Sequence, residues 1–163
     1  MKEILTRILE KLQSDVPELK YIDENWGQME IEQQPVKFPM AIVDMGTGTC
    51  SNMGSGIQLV DATVTVTVAA LRLSQTSSGV KPERREQAFE FYDLLHKIHK
   101  TLHSFAPAQH SSSLTRIGIN KTAIGNGVKV VELIYKITYE EKSYDKPAKV
   151  KISDVNISGN FNN

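Results

Sequence analysis

Ile4, Leu5, Ile8, Leu9 and Leu12 recur at the three- and four-residue spacing of one helical face, with Lys2, Glu3, Arg7, Glu10 and Lys11 between them. The spacing predicts an amphipathic opening helix. Val16-Pro17 should end it, because proline disfavours helical geometry in the residue before it and has no N–H to donate. Residues 18–37 are ambiguous: Met29 and Ile31 alternate with polar neighbours as in a short strand, while Pro35 and Pro39 interrupt any continuous ladder. Residues 38–43 read as a buried strand. Beyond them Gly46, Gly48, Gly54 and Gly56, mixed with Ser, Thr and Asn, predict a long flexible loop between strands.

The clearest strand spans residues 58–73, where Val64, Val66 and Val68 alternate with Thr63, Thr65 and Thr67, giving one apolar face and one row of hydroxyls. Residues 74–81 are polar, and Pro82 suits the first turn of a second helix running to about Phe105. Pro107 and residues 109–113 read as a linker. Residues 114–124 and 128–140 then flank Gly125-Asn126-Gly127, whose Asn-Gly step supplies the positive φ angles of a tight hairpin turn. Val131, Leu133, Tyr135, Ile137 and Tyr139 share one face of the last strand, opposite Glu132, Ile134, Lys136 and Thr138.

The order α-β-β-α-β-β predicts an α+β fold: a mainly antiparallel sheet with helices packed on one face, without the regular alternation of a doubly wound parallel sheet. Residues 1–142 read as a single α+β domain and 143–163 as a C-terminal extension. In the extension, Val150, Ile152, Val155 and Ile157 are spread among Lys, Asp, Ser and Asn. It reads either as a disordered tail or as an arm that adds a strand to a neighbouring subunit.

Charge and cysteine content narrow the function. Nineteen basic and nineteen acidic side chains cancel, so no long-range positive field gathers phosphates and no general nucleic-acid binding is expected. The single cysteine, Cys50, can make neither an internal disulfide nor a paired-cysteine zinc site. Charges in the first ten residues break the apolar run of an export signal, and the longest apolar stretch, residues 62–71, is too short to span a bilayer. The expectation is a soluble protein made in the cytosol, with no membrane partner, and with the acceptor patterns at Asn120 and Asn156 arising by chance.

His96, His99 and His103 fall on one face of the second helix. Three imidazoles could meet a metal, but one helix rarely aims three adjacent rings at one ion, and Glu90 and Asp93 project onto the neighbouring face with Lys97 and Lys100. No metal site is assigned. Projecting the whole helix gives a core stripe of Phe91, Leu94, Leu95, Ile98, Leu102 and Phe105, and a solvated stripe of Glu86, Glu90, Asp93, Lys97 and Lys100. A third stripe is left: Phe89, Tyr92, His96, His99 and His103. Its amphipathic rings suit either a subunit interface or boundary packing within the subunit. If it packs against a neighbour, protonation near the ordinary imidazole pKa of ~6.5 should loosen assembly at acid pH.

No catalytic or cofactor-binding constellation emerges. Gly46-Thr47-Gly48 lacks the third glycine and following helix of a dinucleotide fingerprint, and no Gly-Lys-Ser/Thr loop occurs. Cys50 has no predicted base, the serines 111–113 beside His110 announce no structured elbow, and Asp15, Asp23, Glu24 and Asp44 have no motif spacing. Trp26 is either a local packing anchor or an exposed aromatic for a partner.

Over residues 1–142 the order of elements resembles the tail terminator proteins of long-tailed bacteriophages and related phage-derived particles. The resemblance is carried by the first helix, the Phe38-Pro39-Met40-Ala41-Ile42-Val43 strand, the Asp61-Ala62-Thr63-Val64-Thr65-Val66-Thr67-Val68 strand, the helix after Pro82 and the closing hairpin. It implies a structural, non-enzymatic subunit without cofactor that forms a ring, commonly a hexamer, on the end of the tail tube and presents a surface to the head connector. Two alternatives stand beside it: a small cytosolic metal- or ligand-binding protein or enzyme using His96, His99 and His103, and another head–tail or tail-tube component.

Overall fold

In the computed structural model, which describes residues 1–31, 36–71, 76–123 and 127–142, the opening apolar spacing folds as helix α1 (Lys2–Asp15). Ile4, Ile8 and Leu12 form its buried ridge. Val16 ends it as expected: its N–H closes on the Leu12 carbonyl at 3.0 Å, and its backbone leaves helical geometry just ahead of Pro17.

One five-stranded sheet follows, built from β1 (Tyr21–Glu24), β2 (Met40–Gly54), β3 (Ile57–Leu71), β4 (Thr115–Ala123) and β5 (Val128–Lys142), in the spatial order β1-β2-β3-β5-β4. Every pairing is antiparallel except the short parallel contact of β1 with β2. Helix α2 (Pro82–Leu102) lies between β3 and β4 in the chain. The α+β class and its element order match expectation, with β1 added at the front. The proposed extension 143–163, residues 72–73 of the Thr-Val strand and the Gly125-Asn126 turn lie outside the described residues.

Three local expectations change. The long loop after Val43 is strand: β2 continues to Gly54 and turns through Gly54-Ser55-Gly56, all at positive φ, directly into β3. Gly46 and Gly48 are there for close approach, since a Cβ on Gly48 would sit 2.8 Å from the Asp61 carbonyl oxygen. The register slips between Met45 and Gly48, a bulge that glycine accommodates. Met29 and Ile31 do not form the strand of residues 18–37; Tyr21–Glu24 does, by laying four residues beside Met40–Val43. Helix α2 stops at Leu102 rather than Phe105, because Ser104 turns to φ +68°, its N–H donates to the Leu114 carbonyl at 2.9 Å and the Leu114 N–H donates to the Phe105 carbonyl at 2.8 Å.

The linker at residues 109–113 also has a job in the fold. Ser112 N–H donates to the Thr138 carbonyl at 2.7 Å, and Glu140 N–H to the His110 carbonyl at 3.0 Å, so this segment covers the edge of β5 beyond the reach of β4.

Both helices pack on one face of the sheet. Ile8, Leu12, Ile98 and Leu102 meet Val64, Val66, Leu133, Tyr135 and Ile137 in the main core, as the alternation in β3 and β5 requires. A second, smaller cluster lies on the opposite face, where Met40, Ile42, Ala69 and Val130 are covered by Tyr21, Met29, Val36, Phe38 and Val128. Thr63, Thr65 and Thr67 share that face and are half-buried. No helix among the described residues is long and apolar enough to cross a membrane.

Candidate subunit interface

The core and solvated stripes of α2 separate largely as projected. Phe91, Leu95, Ile98 and Leu102 are buried, Leu94 and Phe105 pack against them, and Glu86, Glu90, Asp93 and Lys100 are exposed. Lys97 alone leaves the solvated group, reaching the Glu18 carboxylate with contacts of 2.6 and 2.9 Å. On that side of α2 an open groove of about 630 Å³ has an apolar floor including Phe38, Leu71 and Leu94.

The third stripe is divided along its length. Phe89 and Tyr92 are 47% and 44% exposed, and their rings lie 6.2 Å apart. Lys129 sits behind them: its ammonium donates to the Ala88 carbonyl at 2.7 Å and lies 5.9 Å from the Tyr92 ring centre. Lys121 reaches the Tyr92 hydroxyl at 3.5 Å. His96 is exposed.

Of the remaining two imidazoles, His99 is half-buried against the subunit, while His103 is exposed and held at one ring nitrogen. His99 stacks on Tyr135 at 6.4 Å and lies 4.9 Å from the His103 ring, while the Arg116 backbone N–H donates to His103 Nδ1 at 3.4 Å. Burial, then the charges of Arg116, His103 and His96, hold the His99 pKa below its ordinary value. Burial pushes the Tyr135 phenol up to about 12. Among the described residues, Tyr135 Oη and His99 Nδ1 are both buried without a hydrogen-bond partner.

Strand β4 forms the wall beside this stripe. A bulge between Arg116 and Gly118 shifts its register, so that Arg116 pairs with Tyr135, Ile119 with Leu133 and Lys121 with Val131. Since Tyr135, Leu133 and Val131 face the helices, so do Arg116, Ile119 and Lys121. Ile119 nevertheless remains 56% exposed. Lys121 and Ile119 thus extend the Phe89–Tyr92 surface to the edge of the sheet, with half-buried Arg116 farther along the same face beside His99 and His103.

The other singled-out residues take local roles. Among the described residues, no group of three His, Cys, Asp or Glu side chains is placed to hold a metal ion. Cys50 is exposed on β2. Ser111 Oγ bonds the Ala108 backbone and Ser112 Oγ accepts from Thr138 N–H, so both hold the strand-capping segment. Asp15 pairs with Lys11 at 2.7 Å. At Asp23, burial pushes the carboxyl up, but hydrogen bonds from Tyr21, Trp26 and the Glu24 N–H outweigh it and the pKa falls. Trp26 itself is 56% exposed.

No protein-family model and no curated protein matches this sequence. Among solved structures the chain is similar in fold to a chain of one described as "Virion of native gene transfer agent (GTA) particle". The TM-score is 0.52 at 8% identity, covering 84% of this chain and 94% of that one. The likeness is one of fold, and it extends over most of both chains.

Exposed Ile119 and Lys121, and half-buried Arg116 beside them, were missed as members of this surface. Simple alternation along residues 114–124 puts Arg116 and Ile119 on opposite faces; only the bulge brings them together, and nothing in the residue pattern announces it.

Proposed function

We propose that this protein is a structural subunit of a phage-like particle, acting as a tail terminator: a ring that caps the tail tube, stops its growth and joins it to the head connector. The observation that carries this reading is the fold shared with a chain of the gene transfer agent virion across 84% of this chain. The order of elements that resembles tail terminators supports it from the sequence side. So does the exposed surface of Phe89, Tyr92 and Ile119, which is the kind of amphipathic aromatic patch a neighbouring subunit covers. In this reading the work is assembly without bond chemistry, and ring closure fixes the copy number.

The test is removal of the protein from the particle that encodes it. Tubes of uncontrolled length without attached heads, restored to uniform length by adding the purified chain, are the expected result. Tubes of normal length joined to heads in its absence would reject the terminator role. Metal analysis addresses the enzyme alternative, since stoichiometric zinc lost on His99→Ala would favour it over a purely structural subunit.

A further inference from the structure

The sheet registers place two exposed groups at opposite edges but on one level. Across the sheet Glu24 pairs with Val43, Val43 with Val66, Val66 with Leu133 and Leu133 with Ile119. Cross-strand partners share a face, and Val43, Val66 and Leu133 all belong to the core beneath the helices. Glu24 and Ile119 therefore end the same row, on the same side, at the two edges of the sheet. Both are exposed.

At the β1 edge, Trp26 is held in place although it is mostly uncovered. Its indole N–H donates to Asp23 Oδ2 at 3.2 Å and its backbone N–H to Gln28 Oε1 at 2.9 Å. Gln28 is fully buried and donates in turn to the Glu24 carbonyl at 2.8 Å. A large aromatic ordered in advance loses little freedom on docking, which is what interface anchors require. At the β4 edge, Ile119 lies between Arg116 and Lys121 on the helix-facing side, and Lys121 links it to Tyr92. Among the described residues, Glu24, Arg116 and Lys121 form no ion pair.

We propose that the Trp26–Glu24 corner of one copy docks on the Tyr92–Ile119 edge of a second copy, with the Glu24 carboxylate entering between Arg116 and Lys121. This rests on the ring reading and names the contact that would build the ring. The two surfaces are complementary in charge and lie on opposite edges, so the contact is head-to-tail and leaves a free docking edge and a free corner at the two ends of every pair. Strands β1 and β4 run in opposite directions, so the edges meet antiparallel. Sheet twist rotates one edge relative to the other, and successive copies are therefore related by rotation, as closure demands.

The experiment uses the full chain and two variants at exposed positions, Trp26→Ala and Ile119→Glu, with Lys121→Glu as a second edge variant should Ile119→Glu unfold. Mass is read by light scattering after gel filtration, and folding by thermal unfolding. Each variant should weaken self-association by about 30-fold or more. A one-to-one mixture of the two should give dimers and nothing larger, because the edge of the Trp26→Ala chain still accepts the corner of the Ile119→Glu chain. Folded variants that form wild-type rings overturn the contact while the ring reading stands. A mixture that stays monomeric also overturns it. A wild-type chain that is monomeric at every concentration overturns this contact too, and leaves the terminator role to the tube-length test.

Discussion

Phe89 and Tyr92 occupy the same stripe of α2 as His99 and His103, yet the two ends of that stripe have opposite fates. At the C-terminal end His99 lies over Tyr135 and His103 receives the Arg116 N–H, so the rings are fastened to β4 and β5. At the N-terminal end the two rings lie against each other, the ammonium groups of Lys121 and Lys129 approach Tyr92, and nearly half of each ring residue remains exposed. Helical periodicity makes the stripe, but what stands opposite each turn decides whether it is core boundary or free surface.

The comparison breaks most visibly in stability. Tyr135→Ala removes a fully buried ring from beneath His99 and should cost ~3–5 kcal/mol in chemical denaturation, as large aromatic truncations in cores do. Phe89→Ala, at the uncovered end, should cost under about 1 kcal/mol. Equal losses at the two positions would mean that the stripe is not divided.

Assembly should reverse that ranking. If the uncovered end faces a neighbour, Phe89→Ala or Tyr92→Ala should weaken self-association about tenfold or more while the unfolding curve of the subunit stays in place. His103→Ala should weaken association far less, because His103 is committed to the Arg116 backbone.

How much of this was legible beforehand depends on the range of the cause. The α1 ridge, the Val-Thr alternation of β3, the Pro82 start of α2 and the inward face of β5 are local patterns, and all were readable. The extension of β2 through Gly46 and Gly48 was not, because glycines that permit close approach to β3 look the same in sequence as glycines that loosen a loop. Strand β1 is too short to carry a period, and it exists only because Met40–Val43 offers an edge. Within the candidate surface, Phe89 and Tyr92 followed from projection of the helix. Arg116, Ile119 and Lys121 depended on a bulge, and the exposure of Trp26 depended on a turn buttressed by buried Gln28.

The packed end should contribute to both limbs of the pH profile. Tyr135, with its pKa pushed up to about 12 by burial, stays neutral in the fold while its unfolded counterpart ionises near its ordinary value of 10. The unfolded state then holds fewer protons, so stability falls as pH rises from 10 toward 12, by roughly 2–3 kcal/mol at most. His99 acts at the other limb. Its folded pKa lies below the ordinary 6.5, so above 6.5 both states are neutral and its contribution is intact. As pH falls below 6.5 the unfolded chain takes the proton first, and stability declines until the folded pKa is passed. Burial sets this limb first, then the charges of Arg116 on β4 and of His103 and His96 on α2, with the Tyr135 ring of β5 stacked against the imidazole. Unfolding midpoints measured from pH 8 to 5.5 should fall more steeply for the wild type than for His99→Phe.

The smallest effect expected is at neutral pH, from Tyr135→Phe. Removing a hydroxyl usually costs a hydrogen bond, ~1 kcal/mol net, but Tyr135 Oη is buried with no partner among the described residues, so the native state gives up no such bond when it goes. The unfolded state loses a group that water solvates well, which disfavours unfolding. Tyr135→Phe should therefore be neutral or more stable by up to about 1 kcal/mol. The ring that supports His99 is retained, so the difference between the two ends of the stripe should survive the change. A clear loss of stability would show that the hydroxyl is satisfied by a bridging water shared with His99 Nδ1, the other orphaned atom of this pair. That outcome would make the packed end a polar network, and His99→Phe would then lose stability alongside it.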